Sequence, residues 1–388
     1  MVGLLAKLCI RNHTAYKDPA VRKGYGILCS VVGIVLNLCL TAVKLMAGFL
    51  SGSVAVIADG INNLSDAASS LITLLGFWLG GKAPDPEHPF GHGRMEYLAG
   101  LAVSVLILWM GVELLTSSVK ALFVPSEVVL SLPTLILLGI SVPIKLYMYF
   151  YHRSIGKKIE SAAMLATATD SVSDAVSTLV VLVSTVLSAV MGWKIDGICG
   201  ILVSVLILRA GLSSAKETVS PLLGQPPSKE LVEEIHTMVL SHDKIVGVHD
   251  MVVHNYGPGR MMISLHAEVP ANEDIFLLHD LIDNVERQLC EHFSCEAVIH
   301  MDPIAVDDKV VSAMHAAVAG IVHSVHPAIS MHDFRMVEGP THTNLIFDVC
   351  VPFSFAMKDN ELKTAIEEAI TAQFPHCFAV IKIDKAYV

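Results

Sequence analysis

Thr169-Asp170-Ser171-Val172-Ser173-Asp174 runs directly into Ala175-Val176-Ser177-Thr178-Leu179-Val180-Val181-Leu182, so two carboxylates sit inside an otherwise apolar stretch covering about 160–191. A bilayer core takes about 20 apolar residues per helix, and this stretch is long enough to cross one. Ala58-Asp59-Gly60-Ile61-Asn62-Asn63-Leu64-Ser65-Asp66 repeats the pattern inside a second apolar stretch, 53–80. Asn62 and Asp66 are four residues apart, as are Asp170 and Asp174, and residues at i and i+4 share one helix face. Two such helices facing each other would gather four oxygen-bearing side chains around one point. Three carboxylates crowded in a bilayer repel each other and lose hydration, a cost that a divalent cation or protons would remove. Ionisable residues at membrane depth mark functional sites by default. Asp59 reads as a vestibule residue, and Asp196, at a helix start, needs no special role.

Working outward, six stretches are long and apolar enough to span: about 25–49, 53–80, 97–121, 128–152, 160–191 and 196–213. The whole chain agrees with a membrane protein. Of 388 residues, 53% are apolar and 16% charged, against about 25% charged in a soluble domain. The net charge of −11 argues against a nucleic-acid binder, which would need a basic face. Eight cysteines, at 9, 29, 39, 199, 290, 295, 350 and 377, form no CxxC pair and read as reduced thiols. The first 24 residues are a polar arm whose basic start meets Asp18 and Pro19 rather than the apolar core of a cleavable signal. The arm and the even-numbered loops carry ten lysines and arginines (Lys7, Arg11, Lys17, Arg22, Lys23, Lys82, Arg94, Arg153, Lys157, Lys158) against Lys120 and Lys194 on the other side. That bias puts both termini in the cytoplasm.

After about 213 charges return and the periodicity shortens. Leu231–Leu240 reads as an amphipathic helix, Val246–Asn255 and Arg260–Val269 as a hairpin around Gly257-Pro258-Gly259, Ile275–His292 as a helix and Glu296–Met301 as a strand. This α-β-β-α-β order suggests a small, ferredoxin-like α+β sandwich. It then recurs. His249-Asp250 matches His332-Asp333, 83 residues on, and Ala297-Val298-Ile299-His300-Met301-Asp302 matches Ala379-Val380-Ile381-Lys382-Ile383-Asp384, 82 residues on. The expected organisation is an arm (1–24), a six-helix membrane domain (25–213), a first αββαβ repeat (214–305) and a second, degenerate one (306–388).

Taken together, these residues resemble the cation diffusion facilitator family. The resemblance rests on Asn62-x-x-x-Asp66, on Asp170-x-x-x-Asp174, on the loop Asp85-Pro86-Glu87-His88-Pro89-Phe90-Gly91-His92-Gly93-Arg94-Met95-Glu96, and on the later His-Asp and Ile-His-x-Asp-Pro elements. It covers about residues 20–305. It implies a homodimer in the plasma or inner membrane that exports a divalent metal from the cytosol in exchange for protons, with six membrane helices and a cytoplasmic metallochaperone-like domain per protomer. It also implies a transport site at Asn62, Asp66, Asp170 and Asp174, a loop metal site at Asp85, His88 and His92, and a cytoplasmic metal site at His249, His266, His279, His300 and Asp302. Zinc-type members carry His where this chain has Asp170 and Asp where it has Asn62. The histidine-free set resembles the bacterial-type manganese-exporting branch.

Physical chemistry points the same way. Carboxylate, carbonyl and water suit magnesium, calcium and manganese, whereas imidazole and thiolate favour zinc. Manganese is therefore the expected cargo, iron(II) the runner-up, and zinc or cadmium minor substrates. The cytoplasmic histidines suit zinc, so that site is expected to be structural or to sense a metal other than the cargo. In the second repeat the positions of His266, His279 and His300 become Asp348, Asn360 and Lys382. A lysine at a ligand position suggests a metal-free packing or dimerisation module. A membrane-embedded metalloenzyme is the alternative from another class. It would need a nucleophile or base beyond the ligands, and neither GxSxG nor HExxH occurs in the membrane half; the chain is not expected to be an enzyme.

Overall fold

A computed structural model describes residues 2–16, 18–51, 54–123, 132–191, 196–304, 308–339, 341–352 and 354–386. Lys194 lies outside them, as does the side chain of Asp59. The described residues divide into two compact units, the first ending at Gln225 apart from a short hairpin tip.

The first unit is helical. After a short α1 (Val2–Cys9) come six long helices: α2 (Pro19–Ser51), α3 (Val54–Gly80), α4 (Met95–Phe123), α5 (Leu132–Lys158), α6 (Ala162–Met191) and α7 (Asp196–Leu223). They fall on the six apolar stretches of the sequence. Among the described residues four meet length and apolarity criteria for a membrane span, in α2, α4, α5 and α7. The other two long helices, α3 and α6, carry the carboxylates.

Small residues let these helices approach closely, as membrane packing without a hydrophobic drive requires. A Cβ on Gly76 of α3 would lie 2.4 Å from the Cβ of Ala99 on α4. Between α4 and α7, Ser104 donates to Ser214 at 2.9 Å. Between α3 and α6, the hydroxyls of Thr73 and Thr167 are 2.7 Å apart. At one end Arg22 of α2 grips Glu96 of α4 through two parallel bonds (2.6 and 2.8 Å) and donates to the Ile159 carbonyl (2.7 Å). That fork ties three helix ends together, and bidentate arginine–carboxylate geometry makes it specific as well as strong.

The second unit shows the αββαβ order twice. The first repeat comprises α8 (Lys229–Leu240), β1 (Gly247–Asn255), β2 (Met261–Pro270), α9 (Ile275–Phe293) and β3 (Cys295–Ile304). The second comprises α10 (Lys309–Val325), β4 (Ser330–Glu338), β5 (Thr343–Pro352), α11 (Asp359–Gln373) and β6 (Cys377–Ala386). In each, the middle strand pairs antiparallel with the first and parallel with the third. The parallel pair is possible because a helix makes the crossover. Side chains of Ser228, Asp274 and Asp308 cap the N-termini of α8, α9 and α10, satisfying first-turn amides.

Each repeat has its own core. Ile235, Val239, Leu265, Val285 and Leu289 anchor the first, and Val318, Leu345, Phe347, Leu362 and Ile366 the second. The repeats also share an irregularity. The β1–β2 register shifts after His249 and the β4–β5 register after His332, and the next residues, Asp250 and Asp333, have φ of 48° and 51°. A left-handed aspartate at a β-bulge is a local device, and its presence at equivalent positions shows that the likeness extends to backbone geometry.

Candidate metal-transport site

Helix α3 buries Asn63, Asp66, Ala67, Ser70, Thr73 and Phe77, spaced by three and four along one face. Helix α6 buries Thr167, Asp170, Ser171 and Asp174. Facing each other, the two helices bring Asp66, Asp170 and Asp174 together, with a carboxylate oxygen of each within 4.8 Å of the others. All three are buried, at 2, 3 and 4% exposure, and among the described residues the Oδ1 of each lacks a hydrogen-bond partner. Each carboxylate of the group thus keeps an oxygen without a hydrogen bond, a deficit that a divalent cation or protons would satisfy.

Asn62 does not join this group. Its side chain is exposed, and Asn63 takes the inward place. With its amide turned to suit both neighbours, Asn63 donates to Asp66 Oδ2 (3.2 Å) and accepts from Lys44 Nζ (2.7 Å). One helical step of 100° separates the two asparagines, and an i,i+4 rule cannot choose between i−4 and i−3.

Two cations escaped sequence analysis. Lys145 of α5, 3% exposed, sends its ammonium to Asp66 Oδ2 (2.5 Å) and Asp174 Oδ2 (2.9 Å). Lys44 of α2 is 2% exposed. The signal was available: both lie inside apolar stretches, where an ionisable residue is a functional flag whatever its sign.

Between α3 and α4, the loop residues Asp85, His88 and His92 converge within 4.8 Å. The two rings are 4.6 Å apart, and each has a nitrogen 3.4 Å from the Asp85 carboxylate. The His88 backbone amide, 2.7 Å from Oδ1, is the main cause holding the Asp85 carboxyl below the usual carboxylate range, helped by both imidazoles. This triad is open to solvent on the Asp85 and His88 side.

In the first repeat, β1 pairs His249 with His266, and β3 pairs His300 with His266. Three parallel positions thus become one row across the sheet, and Asp302 reaches back to His249 Nε2 (3.3 Å), His266 Nδ1 (2.8 Å) and His300 Nε2 (3.4 Å). His249, His266 and Asp302 form a tight ligand-type group. His300 lies against it, its ring 4.7 Å from that of His266. His279 is elsewhere, exposed on α9. Burial, then the neighbouring His332, hold the His249 imidazole below its ordinary pKa. A neutral ring of this kind is the form that ligates a metal.

Comparison with known proteins gives the family. Residues 30–223 match the cation efflux transmembrane domain and residues 227–304 the cation efflux protein cytoplasmic domain. The chain belongs to the cation diffusion facilitator family. An uncharacterized transporter of Methanocaldococcus jannaschii is 31% identical over 273 residues, 70% of this chain and 96% of the relative. The manganese efflux system protein MneS of Bacillus subtilis is 28% identical over 279 residues (71% and 94%), and the cation-efflux pump FieF of Klebsiella pneumoniae 29% over 291 (74% and 96%). The chain is therefore a multi-pass membrane transporter of divalent cations, not an enzyme, with a cytoplasmic α+β region of the family's dimerising type, which implies a homodimer. The second repeat lies beyond the residues that either family profile matches.

Proposed function

We propose that this transporter exports manganese(II) from the cytosol across the plasma or inner membrane by proton antiport with alternating access. The observation that carries the reading is the buried group Asp66, Asp170 and Asp174, which offers oxygen alone. Hard carboxylate oxygen suits manganese better, relative to zinc, than a site containing imidazole would. The printed names of MneS and a second Bacillus subtilis relative, MneP, both describe manganese efflux systems, which supports the same cargo.

Lys145 gives the exchange a physical form. Its ammonium lies between two of the three carboxylates, so a cation is already placed where the cargo would be held. An arriving divalent ion competes with it and displaces it, and on release the ammonium returns. Protons that neutralise the same carboxylates at low pH compete in the same way, which couples metal release to proton entry.

The test is flux in reconstituted vesicles with a panel of divalent ions and an imposed pH gradient. Manganese should move fastest among manganese, iron(II), zinc and cadmium, and collapsing the gradient should slow it. Asp66→Ala or Asp174→Ala removes a charge and a ligand together and should abolish flux while the dimer stays intact by size-exclusion chromatography. Near-normal manganese flux in either variant would remove the site assignment.

A further inference from the structure

The two αββαβ repeats meet at equivalent residues. His249 on β1 and His332 on β4 hold the same place before the same bulge, and their rings are 4.6 Å apart. Asp250 reaches across the seam, its Oδ1 3.4 Å from His332 Nε2, and Asp384 Oδ2 lies 3.8 Å from that nitrogen. Two overlapping ligand-type groups result: His249, Asp250 and His332, and Asp250, His332, Asp348 and Asp384. In each group the ligand atoms lie within 4.8 Å of one another, and Asp250 and His332 belong to both.

These nitrogens have carboxylates nearby but make no hydrogen bond. Among the described residues none reaches His332 Nε2 or either nitrogen of His249, although the His249 side chain is only 7% exposed. His249 turns Nε2 toward Asp302 in the first repeat and Nδ1 toward Asp250 at the seam (3.3 and 3.9 Å). A buried polar atom left unpaired is costly, and native structures keep such atoms where a ligand is to come.

We propose that Asp250 and His332 bind a divalent cation across the seam between the two repeats, with Asp384 as a third ligand and the Nδ1 of His249 facing the fourth position. Imidazole with carboxylate is a donor set for zinc and similar borderline ions, unlike the all-oxygen group in the membrane. Lys382 does not close the site. Its Nζ bonds Asp348 and Asp384 at 3.1 Å each, but its side chain is 63% exposed and its flexible stem lets the ammonium swing into water. It is a resident counter-charge that the metal displaces. The ion would pin the second repeat to the first.

This inference stands apart from the choice of exported metal. Full-length protein in detergent, stripped with chelator and dialysed against zinc, is assayed for bound zinc per chain by elemental mass spectrometry. His332→Ala and Asp250→Asn should each bind one ion fewer than wild type. Asparagine tolerates the left-handed backbone at 250, so the second variant tests the charge without straining the bulge. The loss at His332 should persist in a His300→Ala background, where the cluster within the first repeat is weakened. Lys382→Met should keep the wild-type count with a lower Kd. Wild-type zinc content in both His332→Ala and Asp250→Asn would overturn the proposal.

Discussion

At the scale of single residues, the proposed transport site is a balance of charges, and two substitutions probe it. Lys145→Met deletes the cation from Asp66 and Asp174 and leaves buried carboxylates uncompensated. Removing one partner of a buried pair costs about 3–5 kcal/mol, so the metal-free variant should unfold at a clearly lower temperature than wild type. Manganese should stabilise the variant more than it stabilises wild type, because it restores the missing charge. Equal thermal stability of the two metal-free proteins would show that the ammonium is not a counter-ion. Asp170→His adds a borderline-soft nitrogen and removes one negative charge. Parallel flux assays should show a higher zinc-to-manganese ratio and a lower manganese flux, and an unchanged ratio would strip the manganese reading of its main physical support. The aspartates of this site were legible because carboxylates in an apolar run are conspicuous. The inward asparagine was not, because Asn62 and Asn63 are adjacent on a helix and only packing against α2 selects one. Lys145 is hidden for a different reason: a lysine in a membrane protein's sequence reads first as a topology marker, and its partners lie 79 and 29 residues away in the chain.

At the scale of elements, the long helices were legible from length and apolarity, and the cytoplasmic strands from alternation. Their contacts were not. Nothing in the sequence says that Gly76 must pass Ala99, since the close approach is a property of the pair α3 and α4. Gly76→Ala places two methyl carbons 2.4 Å apart, and neither belongs to a flexible side chain that can move away. Overpacking of this kind costs typically about 1–3 kcal/mol. Thermal unfolding in detergent should show the loss, and unchanged stability would mean that α3 and α4 part easily. The bulges are a second case. The His-Asp dipeptide flagged a repeat, but its use as the left-handed corner that turns His249 and His332 toward each other follows from the backbone and the seam, which a one-dimensional pattern does not carry.

At the scale of the whole molecule, the chain carries a repeat more than its family profiles describe, built as a separate core. The apolar clusters of the two repeats share no residue, so each can hold its shape without the other. A chain ending at residue 304 covers everything the profiles match, and it should fold and move manganese in vesicles at a rate near that of the full chain. Lost flux would assign the second repeat to the transport cycle itself. The expectation that this repeat is metal-free rests on the loss of three ligand positions to Asp348, Asn360 and Lys382, the lysine above all. The three-dimensional arrangement bonds that lysine to Asp348 and Asp384 of its own repeat and groups the same two carboxylates with Asp250 of the other, a combination that no comparison of aligned positions within one repeat could reveal.

The lysine buried between Asp66 and Asp174 also has an electrical consequence. A membrane potential does work of roughly 2.3 kcal/mol per elementary charge for each 100 mV crossed. In the exchange proposed above the return stroke carries protons on these carboxylates, and each one left ionised would expose a negative charge to that field. The Lys145 ammonium, held by Asp66 and Asp174, offsets one such charge. The return stroke then needs fewer protons to cross without net charge, and its rate should depend less on the resting potential of the cell than three unpaired carboxylates would make it.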